Sequence, residues 1–278
     1  MMTTSTRQLA FAAPAVPHPA GSTIQARVLL FNAQHAAPER ARRQAAWIAG
    51  QENADLLVIT EVGPSHGGTA LEEALTDHGY TQIIAPQPSN PDYRTILASR
   101  TAPIEAMPSG VTHLPHRAPA ATVTIGEHTI GLFGLYVPSR GPKERRNIAK
   151  RTFQDAVTAA LPGLGTLFTG MPVIVTGDLN VIEPGHQPPH KVFGAWEYAF
   201  YDSFRTAGLT DAFRHLHPDP NAHSWYGRSG NGFRFDHIFV TTPHAHLITA
   251  CAYHHQPREQ GLTDHAAMTL RFDLPTAG

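Results

Sequence analysis

Cysteine is almost missing from the 278-residue chain, which holds Cys251 alone. An intrachain disulfide and any zinc motif built on cysteine pairs are therefore excluded, and the fold must stand on its core. Long apolar runs are missing too: the core-like runs, such as Leu56 to Ile59 and Val173 to Val175, are strand-sized and well short of the roughly 18 residues that span a bilayer. The chain reads as soluble and cytoplasmic. The stretch from Leu9 to Val16 follows Arg7 but is interrupted by Pro14 and borders Pro17, so it suits a disordered tail better than a secretory segment. Charge is sparse at 15%, against a usual value of about 25%. With 21 Lys+Arg against 22 Asp+Glu, the formal charge is −1, which excludes the global basic footprint of many nucleic-acid binders.

What is present is the material of a globular core, with 41% hydrophobic residues besides 23 Gly. The 24 Pro add to a loop-rich character without reaching low complexity. Eighteen His titrate near neutrality, so the net charge climbs to about +8 near pH 6.5 and binding to a polyanion becomes sensitive to pH.

Arg27 to Phe31 reads as a buried strand. Pro38 opens a helix whose Ala41, Ala45, Ile48 and Ala49 share a face, and Asp55 to Thr60 reads as the next strand. A strand, helix and strand in that order predict parallel neighbours. Thr69 and Glu72 read as a capping box for a second helix, which Gly79 is placed to end. Strands follow at Thr95 to Ala98, Ala121 to Ile125, Thr129 to Val137, Pro172 to Thr176, Arg234 to Val240 and Ala267 to Phe272, with a basic helix from about Lys143. The signals interleave without a repeat or linker, so we expect a disordered tail over 1–23 and one α/β domain over 24–278.

The chemically useful residues share a position. Asn32, Glu61, Tyr136, Asp178 and Asn180 each lie at or just past the C-terminal end of an apolar strand, where open α/β sheets build their sites. Asn or Asp after a strand ordinarily makes a turn; five such ends together point to a site. In Gly177-Asp178-Leu179-Asn180 a carboxylate and an amide two apart can face one cleft, as base or ligand and as donor. Thr263-Asp264-His265 sets a carboxylate beside an imidazole, and Asp236 in Arg234-Phe235-Asp236 is a candidate to orient that imidazole.

In order, the segments LLFNAQ, VITEV, GLYVPS, VTGDLN, SWYGRSGNGFRFDHIFV and LTDHAAM resemble the successive signatures of the endonuclease/exonuclease/phosphatase superfamily. They span Val28 to about Phe272. The stretch from His223 through Phe239 most resembles the exodeoxyribonuclease III and apurinic/apyrimidinic endonuclease branch. The resemblance implies a four-layer α/β sandwich, two packed sheets with helices outside, and a metal-dependent phosphodiester hydrolase. It implies that Glu61 ligates a divalent cation with Asn32 and Asp264 beside it, an oxygen set suited to Mg²⁺ or Mn²⁺. Asp178, held by Asn180, would activate the attacking water. His265, oriented by Asp236, and Tyr136 would contact the scissile phosphate. DNA is the implied substrate, for an endonuclease or 3′ exonuclease with a place in DNA repair, acting as a monomer. A small phosphoester such as a lipid or nucleotide headgroup is the alternative substrate. A noncatalytic module of the same fold is a further alternative, against which the intact Glu61, Asp178, Asn180, Asp236 and His265 set argues.

Several positions depart from the family pattern. Thr60 stands where a Gln commonly precedes the metal-binding Glu, Val62-Gly63 replace polar neighbours, and Gln34 lacks the carboxylate that some relatives place there. The loop between Trp225 and Phe233 is short and rich in glycine, which implies reduced abasic-site elements. Trp225 and Phe233 suit either stacking on a base or sugar or ordinary core packing. Arg140, with Lys143, Arg145, Arg146, Lys150 and Arg151, suits either a grip on phosphates or a solvated helix face. The pairs His113/His116 and His254/His255 have no third ligand in register, and Cys251 reads as a small buried hydrophobe.

Overall fold

The computed structural model describes residues 23–276 apart from 53, 142–143 and 219–220. The first half comprises β1 (Thr23–Asn32), α1 (Pro38–Ala49), β2 (Leu56–Val62), α2 (His66–Asp77), β3 (Gln82–Ile84), β4 (Arg94–Ser99), β5 (Ile104–Met107), β6 (Ala120–Ile125) and β7 (His128–Tyr136). Then come α3 (Glu144–Leu167), β8 (Val173–Asp178), α4 (Ala195–Thr206), β9 (Leu209–Asp211), α5 (Ala212–Leu216), β10 (Trp225–Tyr226) and β11 (Gly232–Phe233). The chain closes with β12 (Asp236–Thr241), β13 (Ile248–His254), α6 (Gln256–Glu259) and β14 (Ala267–Pro275). Residues 1–22 of the expected tail lie outside the described residues, as does Lys143, while Thr23 already pairs with Pro275 in β14.

Two six-stranded sheets form, in the orders β13-β14-β1-β2-β4-β3 and β5-β6-β7-β8-β12-β9, beside a hairpin of β10 and β11. Both sheets are mixed. Each holds one parallel pair, β1 with β2 and β7 with β8, and each pair is joined by a long crossover as parallel strands require, through α1 and α3. Alternation along the strands produces the layers. Val28 and Leu30 of β1 join Ile130 and Leu132 of β7 in a core between the sheets. Leu29 and Phe31 turn instead toward the α1 and α2 side, and Phe133 and Leu135 toward α3 and α4. The result is the four-layer α/β sandwich. Gly134 brings the sheets close: a Cβ there would lie 2.8 Å from Thr95, 2.9 Å from Leu97 and 3.0 Å from Val58. Cys251 sits buried in this inner core.

The capping-box expectation for the second helix is corrected. Helix α2 begins at His66 with Ser65 as its cap residue, which places Thr69 inside the helix. Gly67 and Gly68 look like a break in the sequence, yet they are what the packing needs, since a Cβ would meet Ala36 O at 1.7 Å and Gly63 O at 2.3 Å. At the other end Gly79 does close the helix, with φ +92° and its N–H donating to Thr76 O. Strand β12 begins at Asp236 rather than Arg234.

Candidate active site

The C-terminal ends of the two parallel pairs meet across the sandwich, and the polar residues at those ends converge. Asn32 ends β1, buried, and donates through Nδ2 to Asp178 Oδ2 at 3.0 Å and to Glu61 Oε2 at 3.2 Å. Its Oδ1 takes the Gln34 N–H at 2.8 Å, so the amide works here as a donor to the two carboxylates. Glu61 lies in a bulge of β2 against β4 and carries φ +53°. Asp178 pairs with Tyr136 on one side and Asp236 on the other. Its Oδ1 takes the Asn180 N–H at 2.9 Å, a closed turn in which Asn180 holds φ +50° and donates through Nδ2 to Val137 O and to Asp178 Oδ2. Burial, with Asp236 and Glu61 nearby, pushes the Asp178 carboxyl up to about 8 despite the opposing pull of His265.

His265 faces this carboxylate across 4.0 Å through Nε2, while its Nδ1 lies 2.7 Å from Asp236 Oδ2. Burial disfavours the imidazolium, but the Asp236 carboxylate, then Asp178 and Asp264, outweigh it and raise His265 to about 10. Asp236 is itself held through its N–H and that of Phe235, both donated to Ser224 Oγ. Asp178, Asp236 and His265 each bring a ligand atom within 4.8 Å of the others. With Asp236 engaged on Nδ1, the imidazole is oriented so that Nε2 faces the Asp178 carboxylate. Asp264 accepts the Trp225 indole N–H at 2.9 Å through Oδ2.

Glu61, Tyr136, Arg140, Asp178, Asn180, Trp225, Phe233, Asp264 and His265 line one open cleft of about 400 Å³, together with Phe193 and Phe235. Asn32 and Asp236 lie beneath it, buried. The Tyr136 hydroxyl is pushed far above its ordinary range by burial and by the charges of Glu61 and Asp178, so it remains a neutral donor. Trp225 and Phe233 are half-buried, with ring centroids 5.5 Å apart across the β10–β11 hairpin, and form one wall. Arg140 stands at the rim but is paired with Glu197 at 2.6 Å.

Several contributors carry no signal in the sequence. Arg117 stacks on Tyr136 at 4.8 Å and pairs with Asp92. Gln44, buried on α1, donates to Ala33 O at 2.9 Å and Leu262 O at 2.6 Å. Arg40 likewise reaches both Gln34 O and Leu262 O, so α1 ties the loop after Asn32 to the loop before Asp264. Lys150 is wholly buried, donating to Glu197 at 2.5 Å and to Asn180 O at 2.8 Å. It is neither a phosphate grip nor a solvated residue, as the basic run suggested, but a support for the Asn180 turn. Arg145, Arg146 and Arg151 do lie on the exposed face.

Residues 29–265 match the family model described as the Endonuclease/Exonuclease/phosphatase family. The chain belongs to this family. Its members act on phosphoester bonds, and the site just described lies wholly within the matched span. An exodeoxyribonuclease of Streptococcus pneumoniae serotype 4 is 24% identical over 247 residues, covering 80% of this chain and 88% of the relative. Among solved structures of the same fold, a 3′-5′ exonuclease (NExo) from Neisseria meningitidis superposes with a TM-score of 0.71 at 18% identity, covering 88% of this chain and 99% of that one. An AP endonuclease from Archaeoglobus fulgidus gives 0.72 at 20%, covering 88% and 98%.

Other histidines flagged in the sequence are engaged elsewhere. His116 Nε2 lies 2.8 Å from Asp92 Oδ2, and His254 Nε2 2.8 Å from Thr269 Oγ1. Among the described residues no helix is long and apolar enough to cross a membrane.

Proposed function

We propose that the protein is a divalent-metal-dependent phosphodiesterase that acts on DNA and removes nucleotides from 3′ ends. One observation carries the reading: a carboxylate base, a charged imidazole and a phenol face one cleft beside acidic oxygen donors. The donors fit a hard cation, because Asp264 Oδ1 is buried with no hydrogen-bond partner and Glu61 presents a carboxylate across the cleft. Glu61 and Asp264, with Asn32 beside them, would hold Mg²⁺ or Mn²⁺. When bound, the cation supplies positive charge to the phosphate under attack.

The chain's own residues do the remaining work. Asp178, fixed by Asn180 and Asn32, accepts the proton of the attacking water in its ionised form, which the charge of His265 favours against burial. His265, kept protonated and oriented by Asp236, stabilises the negative charge that grows on the phosphate. Tyr136 donates its hydroxyl hydrogen to the same group. Trp225 and Phe233 offer ring faces to the sugar or base next to the scissile bond, and Arg140 adds charge at the rim. The DNA-acting relatives support this substrate. A small phosphoester is the second reading, favoured by the complete burial of Lys150 against Glu197, which removes that cation from the DNA-facing surface.

A substrate panel tests it: end-labelled blunt duplex, 3′-phosphate oligonucleotide, abasic duplex, plasmid, inositol phosphate and sphingomyelin, with Mg²⁺, Mn²⁺ or excess EDTA. Stepwise shortening from 3′ ends that stops in EDTA is the expected result. Full activity in EDTA overturns the metal assignment, and faster hydrolysis of a small phosphoester than of any DNA overturns the substrate.

A further inference from the structure

The loop after β1 adopts a backbone that ordinary side chains resist. Gln34 and His35 carry φ of 48° and 38°, two successive residues other than glycine in the left-handed region. The turn is held from several sides. Gln34 N–H donates to Asn32 Oδ1 at 2.8 Å and His35 N–H to Glu61 O at 2.9 Å. Arg40 grips Gln34 at its backbone oxygen and at Oε1. The consequence is that His35 Nδ1 lies 2.9 Å from Glu61 Oε1, with the imidazole 5.6 Å from the Tyr93 ring and its side chain 55% exposed. Gly63 faces it, and a Cβ there would come within 3.3 Å of His35 Cβ.

A surface imidazole can meet a carboxylate without two strained residues, so the turn calls for a role that depends on the placement. Two groups bound side by side to one octahedral cation, at bonds of about 2.1 Å, lie about 3 Å apart. Nδ1 and Oε1, which share a hydrogen bond here, stand at that separation, so a cation can replace the shared proton without moving either group far. Gln34, two residues after Asn32, offers only an amide, so the imidazole is the donor this loop brings to Glu61. We propose that His35 is a ligand of the cation held by Glu61, and that its nitrogen tunes the site toward Mn²⁺ or Co²⁺ over Mg²⁺. Imidazole binds these ions in the order of their affinity for nitrogen, whereas Mg²⁺ keeps to oxygen. The inference rests on the metal reading of Glu61 given above.

Metal affinity in the absence of DNA tests it, by calorimetry for Mg²⁺, Mn²⁺ and Co²⁺ and by the electron paramagnetic resonance spectrum of bound Mn²⁺. The proteins are the full chain and its His35→Ala, His35→Asp and Glu61→Gln variants, with melting curves to check folding. His35→Ala is expected to weaken Mn²⁺ and Co²⁺ about tenfold or more and Mg²⁺ less than about threefold. His35→Asp, which returns an oxygen donor, is expected to restore binding with the preference moved to Mg²⁺. Equal weakening for all three ions, or none, overturns the role of His35. If Glu61→Gln leaves Mn²⁺ binding intact, the metal reading of Glu61 falls and this inference with it. If Glu61→Gln abolishes binding while His35→Ala leaves the ratio of affinities unchanged, only His35 is removed from the site.

Discussion

His265 and Asp178 face one another with opposite tendencies, the imidazole drawn toward its charged form by Asp236 and the carboxylate drawn toward its neutral form by burial. Removing the Asp236 charge should therefore strike His265 before it strikes the fold. Asp236→Asn is expected to lower the His265 pKa from about 10, read by NMR titration. It should also cut turnover on the order of a hundredfold or more, as should Asp178→Asn and His265→Ala. Substrate affinity and melting temperature should change far less. A His265→Ala protein that turns over normally but melts several degrees earlier would make this a structural histidine. The residues of this pair were legible in the sequence, because Asp236 and His265 each sit in a short polar motif against a strand. Gln44, Arg40 and Arg117 were not: each reaches the site by a long side chain from a helix or loop whose partner is distant in the chain, and no local pattern encodes such a reach.

At the scale of elements, the strands that carry the site were legible because apolar alternation and strand-end polar residues are local signals. The reading of β1, helix and β2 as a parallel unit holds in the register of Val28 to Asn32 against Leu56 to Thr60. Helix α2 was misplaced at its start because Gly67 and Gly68 answer a tertiary demand, close approach to Ala36 and Gly63, that overrides their poor local propensity. The segment before β12 carries a further element-scale feature, Arg234, wholly buried between Glu183 of the loop after β8 and Asp211 of β9. Burial acts against both carboxylates, but Arg214 and Arg234 hold Glu183 below the ordinary range, and Arg234 with His237 does so for Asp211. His186, which takes the Arg234 N–H, is depressed to about 4 by burial. All three groups bind fewer protons folded than unfolded over the intervening range, so each favours the folded state at higher pH. Between about 6.5 and 4 the loss at His186, which charges in the unfolded chain, is opposed by Asp178, which holds its proton more tightly folded, and melting temperature is expected to fall steeply below about 4 as the carboxylates are forced to protonate. Glu183→Gln should lower stability at neutral pH and flatten the acid limb. A melting temperature level from pH 7 to 3.5 would contradict this.

For the whole molecule, a formal charge of −1 leaves little long-range attraction to DNA, and any grip must come from a few placed cations. Arg145, Arg146 and Arg151 are exposed on α3, with Arg140 at the cleft rim. Binding measured in Ca²⁺ should therefore weaken with salt at a logarithmic slope of about −2 to −4, the value for a few neutralised phosphates. Arg145→Glu with Arg146→Glu should make that slope shallower by about 1 for each phosphate that is no longer neutralised. A flat response would sink the DNA reading while leaving the fold intact. The sheet order has a consequence for how the protein is made. Strand β1, which ends in Asn32, is flanked by β2 and by β14, the last of the described strands, through a ladder running from Thr23–Pro275 to Leu30–Met268. Asp264 and His265 emerge just ahead of that strand. Synthesis proceeds at about 5–20 residues per second, so a growing chain carries Glu61 and Asp178 for many seconds before their partners exist. The candidate site can be completed only once Asp264, His265 and β14 have been made, and until then a growing chain, however much of its second sheet has already formed, holds Glu61 and Asp178 without the groups that face them.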